Sequence, residues 1–90
     1  MTRQYQAQTE DMESGVLTSN GADCLYFASG VWDGASVEIT FINPFQEESV
    51  LTGSTLTEDA QKLVDLPAGF EFKLKLSNCG AATVLSFGIQ

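Results

Sequence analysis

The sequence predicts an all-β domain: a small antiparallel β-sandwich or jelly-roll-like barrel of about seven short strands. Three observations carry this. Apolar and polar residues alternate with period two in several runs, most clearly from Phe70 to Ser77. Turn signals rich in Gly, Asn, Asp and Pro recur every ~8–12 residues. The one helix signal, the capping-box pattern Thr55-Leu56-Thr57-Glu58, is followed by only about six residues before Leu66-Pro67, too few for a stable helix.

Each element has its own local cause. Val16-Leu17-Thr18 is a short apolar stretch ended by Asn20-Gly21, a pair that supplies the positive φ angles of a tight hairpin turn. Across residues 22–28, Cys24, Tyr26 and Ala28 face one way and Leu25 and Phe27 the other. Asp33-Gly34 is the next hairpin signal. It leads into residues 35–42, where Val37, Ile39 and Phe41 alternate with Ser36, Glu38 and Thr40. Asn43-Pro44-Phe45 ends that strand, because proline cannot donate to a ladder. Residues 49–52 form a short strand, residues 57–60 a turn and residues 62–66 another strand. In residues 70–77, Phe70, Phe72, Leu74 and Leu76 share the core face, and Glu71, Lys73 and Lys75 share the wet one. Asn78–Gly80 then turns the chain into a last strand ending at Ile89, expected to pair with residues 70–77 as a hairpin. Lys73 and Lys75 are expected to pair with Glu38 across the wet face.

Residues 1–14 stand apart. They are polar and end in the acidic cluster Glu10, Asp11 and Glu13. The expected organisation is an extended N-terminal arm over 1–14 and a single β domain over 15–90. Nothing local in the arm can bury Tyr5. Residues 1–14 are then either a flexible polar tail or an arm that orders on a partner; in the second reading Tyr5 enters a pocket and Arg3 lies beside a carboxylate. Among the other aromatics, Phe27, Phe41, Phe70, Phe72 and Phe87 fit the inward face. Trp32 and Phe45 fall at strand ends or in loops, where an aromatic either folds back over the core rim or serves as a contact anchor, and Ile42 is a further apolar candidate for contact with a partner.

Composition excludes several functions. Twelve acidic residues against four basic ones give a net charge of −8, which phosphate backbones repel, so no nucleic acid is expected as a partner. No apolar run approaches the ~20 residues of a membrane span, and residues 1–15 are too polar for a signal peptide. The chain has no histidine, so histidine-based acid/base chemistry and the serine–histidine triad are excluded. Counting a calcium loop from Glu10 or Asp11 ends at Gly21 or Ala22, neither of which supplies the bidentate carboxylate. The adjacent pairs Glu47-Glu48 and Glu58-Asp59 read as solvated loop charge. No phosphate-cradling glycine motif and no nucleophile elbow occurs. The expectation is a non-enzyme with no catalytic residue, no metal and no cofactor. Cys24 and Cys79 have no metal or redox spacing, and free thiols are the favoured reading, with one bridge as the alternative.

Two stretches resemble a known class. Gly30-Val31-Trp32-Asp33-Gly34-Ala35-Ser36-Val37-Glu38-Ile39 is similar to a hairpin of small all-β proteins from tailed-phage structural modules. Leu66-Pro67-Ala68-Gly69-Phe70-Glu71-Phe72-Lys73-Leu74 resembles their "LPAG" turn and following strand. The resemblance covers roughly residues 15–90. It implies a non-enzymatic virion structural protein of the capsid decoration, or cement, type. Such a protein would be made in the host cytoplasm and bind the outer capsid surface as a homotrimer, on the major capsid protein or another virion protein. A tail, fibre or head-completion component, with a receptor- or glycan-binding role, is the alternative. No catalytic or cofactor residue carries over.

Overall fold

The computed structural model describes residues 2–90, and these form nine strands and no helix. They are β1 (Arg3–Gln8), β2 (Met12–Glu13), β3 (Leu17–Thr18), β4 (Asp23–Val31), β5 (Ser36–Ile42), β6 (Glu48–Val50), β7 (Ala60–Asp65), β8 (Glu71–Ser77) and β9 (Val84–Ile89). One sheet has the order β1-β9-β4-β7; the other runs β2-β8-β5-β6, with β3 also paired to β8. All pairings are antiparallel. β2 and β3 lie end to end along one edge of β8. They read as one strand interrupted at Ser14–Val16, and Ser14 holds the gap closed. Its N–H donates to the Leu74 carbonyl at 2.8 Å, and its hydroxyl accepts from the Leu74 amide at 2.8 Å. Counted so, eight strands form two four-stranded sheets in jelly-roll order.

The expected all-β sandwich is therefore present, with three corrections to its wiring. First, residues 70–77 and 84–89 do not pair with each other: β8 lies against β5 and β9 against β4, in opposite sheets. Second, Asn20-Gly21 and Asp33-Gly34 do not close hairpins. They carry the chain from one sheet to the other, and only β5 and β6 are paired sequence neighbours. The turn residues have the positive φ expected of them (Gly21 85°, Asp33 45°, Gly34 85°, Asn78 59°). A turn that crosses the sandwich needs the same backbone reversal as one that stays in a sheet. Third, residues 3–8 are not an arm. They form edge strand β1 on β9, with a bulge where Ala7 takes φ 53°. An edge strand needs only backbone pairing and one inward side chain, which Tyr5 supplies.

The core lies between the sheets. Cys24, Tyr26, Ala28, Leu85, Phe87 and Ile89 face Leu17, Val37, Ile39, Phe72, Leu74 and Leu76, all buried. Two expected core aromatics sit elsewhere. Phe27 is half-buried on the outer face of its sheet, and Phe70 is 43% exposed at the mouth of β8. Cys24 and Cys79 are free thiols.

Tyr26 is fully buried, and its hydroxyl has no hydrogen-bond partner among the described residues. Burial pushes its pKa well above the usual tyrosine range, and the Glu38 carboxylate adds to the shift. An unpaired buried hydroxyl costs free energy that folding must offset. Tyr26→Phe keeps the ring and removes that cost, so it should raise stability by about 1 kcal/mol in urea melts. A loss of stability would mean that the hydroxyl is bonded in the folded chain.

Candidate attachment site

The sandwich has two unlike outer faces. The β8-containing face carries ionic side chains. Lys73 Nζ lies 2.9 Å from Glu48 and 3.5 Å from Glu13; Lys75 Nζ lies 3.0 Å from Glu48 and 3.2 Å from Glu13. Glu38 stands opposite Lys75 in register, yet the lysines reach past it to the flanking strands β2 and β6, a correction to the expected pairing. The ion pairs hold the Glu13 and Glu48 carboxyls below the usual range and the two ammonium groups above theirs. The opposite face carries two apolar patches: Leu25 beside Leu63 with Phe27 next along β4, and Val31 beside Val84 at the end of the strand, with the Ser29–Ser86 pair between them.

The most prominent apolar feature lies at the rim, where β5 ends and β8 begins. A cleft of about 500 Å³ is lined by Phe41, Ile42, Asn43, Pro44, Gln46, Gly69, Phe70 and Glu71. Its floor is an edge-to-face pair: the Phe41 and Phe70 rings stand 5.0 Å apart at 76°. Phe45, 83% exposed, projects from the loop beside it. Asn43 organises that loop. Its side-chain oxygen accepts from the Phe45 amide at 2.9 Å and the Glu47 amide at 3.0 Å, while its side-chain nitrogen donates to Glu47 Oε1 at 3.1 Å. The Gln46 N–H donates back to the Asn43 carbonyl at 2.9 Å. This is an Asx-type turn that fixes the direction in which Phe45 is presented. An exposed aromatic on a pre-ordered loop loses little entropy when it binds.

The expected contact residues separate accordingly. Ile42 and Phe45 come together at the rim, Ile42 half-buried in the cleft wall. Trp32 lies elsewhere and is half-buried against the core. Its indole N–H donates to Asp59 Oδ1 at 2.9 Å, and the Gly30 amide donates to the same oxygen at 3.0 Å. These bonds hold the Asp59 carboxyl below its usual range. Trp32 thus braces the junction of β4 with the β6–β7 connection and is no free anchor. Tyr5 is likewise occupied: it packs on Phe87 of its own domain, ring centroids 5.3 Å apart, rather than reaching for a partner. Arg3 is exposed on β1 and makes no ion pair among the described residues. Phe41 packs against the core as alternation expects, and its part in the cleft is what the sequence pattern does not reveal. Phe70, also expected in the core, sits before β8, where alternation no longer guarantees a covering sheet.

The acidic cluster is not assembled into a cation site. Asp11 accepts from the Cys79 amide at 2.9 Å, and Glu13 points to the lysines. Among the described residues, no group of three His, Cys, Asp or Glu is placed to hold a metal. No described helix is long and apolar enough to cross a membrane. Comparison with protein-family models, curated proteins and solved structures finds no match to the chain.

Proposed function

We propose that the chain is a non-enzymatic virion structural protein, a capsid decoration protein that binds the outer capsid surface and stabilises it. The observation that carries the attachment reading is Phe45, held 83% exposed by the Asn43 turn beside an apolar cleft. Jelly-roll topology adds a fold-level analogy, since capsid domains use it, as do lectins. In this reading Phe45 and the Phe41–Ile42–Phe70 cleft give each protomer both a knob and a socket. A contact of that kind is heterologous and forms a ring where the rotation between protomers closes, which is the arrangement that the homotrimer implied by the resemblance requires. The major capsid protein, or another virion protein, is the body beneath it.

Counting copies by quantitative mass spectrometry of purified particles tests the assignment. Hundreds of copies per particle are expected. A handful would move the chain to the tail or a fibre, and absence from particles would overturn the reading. Phe45→Ser should leave the fold of the protomer unchanged by far-ultraviolet circular dichroism, because the ring lies outside the protomer's core, and should strip the chain from the particle. Unchanged occupancy would remove the rim from the attachment site.

A further inference from the structure

The two sheets end in four kinds of edge. β6 is three residues long, β2 and β3 are interrupted, and β1 carries a bulge at Ala7. Short, broken and bulged edges are how sheets avoid pairing with other chains. β7 has none of these protections. All six of its residues pair with β4 in unbroken register, from Ala60 opposite Ala28 to Asp65 opposite Asp23. Among the described residues, no backbone hydrogen bond outside the ladder involves residues 60–65. Alternate N–H and C=O groups along its outer side therefore lack a protein partner, as at any free edge. Lys62, the residue that would guard such an edge, is turned back to donate to the Gly53 carbonyl at 2.6 Å. Leu63 stands 76% exposed on the apolar outer face of the sheet.

We infer that β7 pairs antiparallel with β7 of a second copy of this chain across a two-fold axis at Leu63, joining two four-stranded sheets into one of eight strands. The register follows from side-chain chemistry. Residues directly opposite one another point to the same face of a sheet, so a symmetric pair must be centred on a residue. Centred on Lys62, the pairing sets lysine against lysine and Asp65 against Asp59. Centred on Val64, it sets Leu63 against Asp65, and centred on Gln61, it sets Leu63 against Asp59. Centred on Leu63, it sets Leu63 on Leu63, Lys62 against Val64 and Gln61 against Asp65, with no like charges directly opposed. The axis then passes through the uncharged centre of the outer face, where Leu25 and Phe27 flank Leu63 and Gln61 in register. No carboxylate of one chain then stands directly opposite a carboxylate of the other, although each chain carries a net charge of −8. The contact is independent of the rim. In a shell of trimers it would tie a protomer of one trimer to a protomer of the next.

Cross-linking tests the register. On the axis, two Leu63 Cα atoms would lie about 4.5–5.5 Å apart, within disulfide range. In a Cys79→Ser background, Leu63→Cys should give a covalent dimer under mild oxidation. Gln61→Cys should not, because its two copies are displaced by four residues along the strands. Sedimentation of the Phe45→Ser chain, in which the rim no longer contributes, should show a dimer that strengthens from ~20 mM to ~500 mM NaCl as the mutual repulsion is screened. Leu63→Asp should weaken that dimer by roughly tenfold or more, with the far-ultraviolet circular dichroism unchanged. Equal cross-linking at positions 61 and 63, or a Phe45→Ser chain that stays monomeric in every salt, would overturn the pairing.

Discussion

Phe72→Ala is expected to cost about 3–5 kcal/mol, through lost transfer energy and the cavity left behind. Phe72 is fully buried and sits in the middle of the β8-containing sheet, opposite Phe41 on one side and Leu17 on the other. Strands lie on both sides of it and the second sheet lies above it, so the gap has little means of closing. A domain of this size holds only about 5–10 kcal/mol in reserve. Most of the molecules should therefore be unfolded or unfold at low denaturant. Lys73→Ala, one residue along, should do far less. It removes one ammonium from a four-member surface network in which Lys75 still reaches both Glu13 and Glu48. Urea melts of the two variants compare the faces of β8 directly. If Lys73→Ala proved the more damaging, the inward face of β8 would be the other one.

That assignment is legible in the amino-acid sequence alone, and the reason is physical. β8 has strands on both sides and a core above, so its side chains must alternate strictly, and Phe72, Leu74 and Leu76 are buried as the pattern requires. Alternation also marks Cys24, Tyr26 and Ala28 in β4, and Leu85, Phe87 and Ile89 in β9. It fails where a strand outruns its cover: Phe70 precedes β8 and lies open at the rim. Phe27 keeps the alternation, out of phase with buried Tyr26 and Ala28, so it is the expectation of a core position from its aromatic character alone that fails there. Partner choice is not legible. In a jelly roll nearly every connection crosses between sheets, and Gly21 and Gly34 adopt the same positive φ whether the next strand returns beside the last or departs. The polar residues 3–8 carry no core signal because an edge strand on β9 needs almost none. At the site, Ile42 and Phe45 are visible as apolar residues around a proline. The Asn43 bonds that fix the loop depend on Glu47, four residues on, and only the fold shows that they form.

The second large effect is expected at Gly30, where β4 meets β9 opposite Leu85. Gly30 has φ 136°, a conformation that L side chains rarely adopt, and a Cβ added there would fall on the Val84 carbonyl oxygen, with the Leu85 Cα at 3.2 Å. The obstacle is backbone in a paired strand, so relief requires β9 to move away from β4. The Gly30 amide also donates to Asp59, which holds the Trp32 indole, so a shift at Gly30 loosens three elements together. Gly30→Ala should therefore cost about 2–4 kcal/mol, the sum of the backbone conformation and the displaced strand. Gly34→Ala is the matched control. Its φ is 85°, and nothing lies within 4 Å of an added Cβ, so it carries the conformational cost without the contact, about 1 kcal/mol. Trp32 is the only tryptophan in the chain, and its fluorescence reports on the Asp59 clasp. Gly30→Ala should change the native emission and lower the melting midpoint; Gly34→Ala should lower the midpoint slightly and leave the emission of the folded chain alone. Equal losses in the two variants would mean that the close approach of β4 and β9 at Gly30 adds nothing to stability beyond its φ angle.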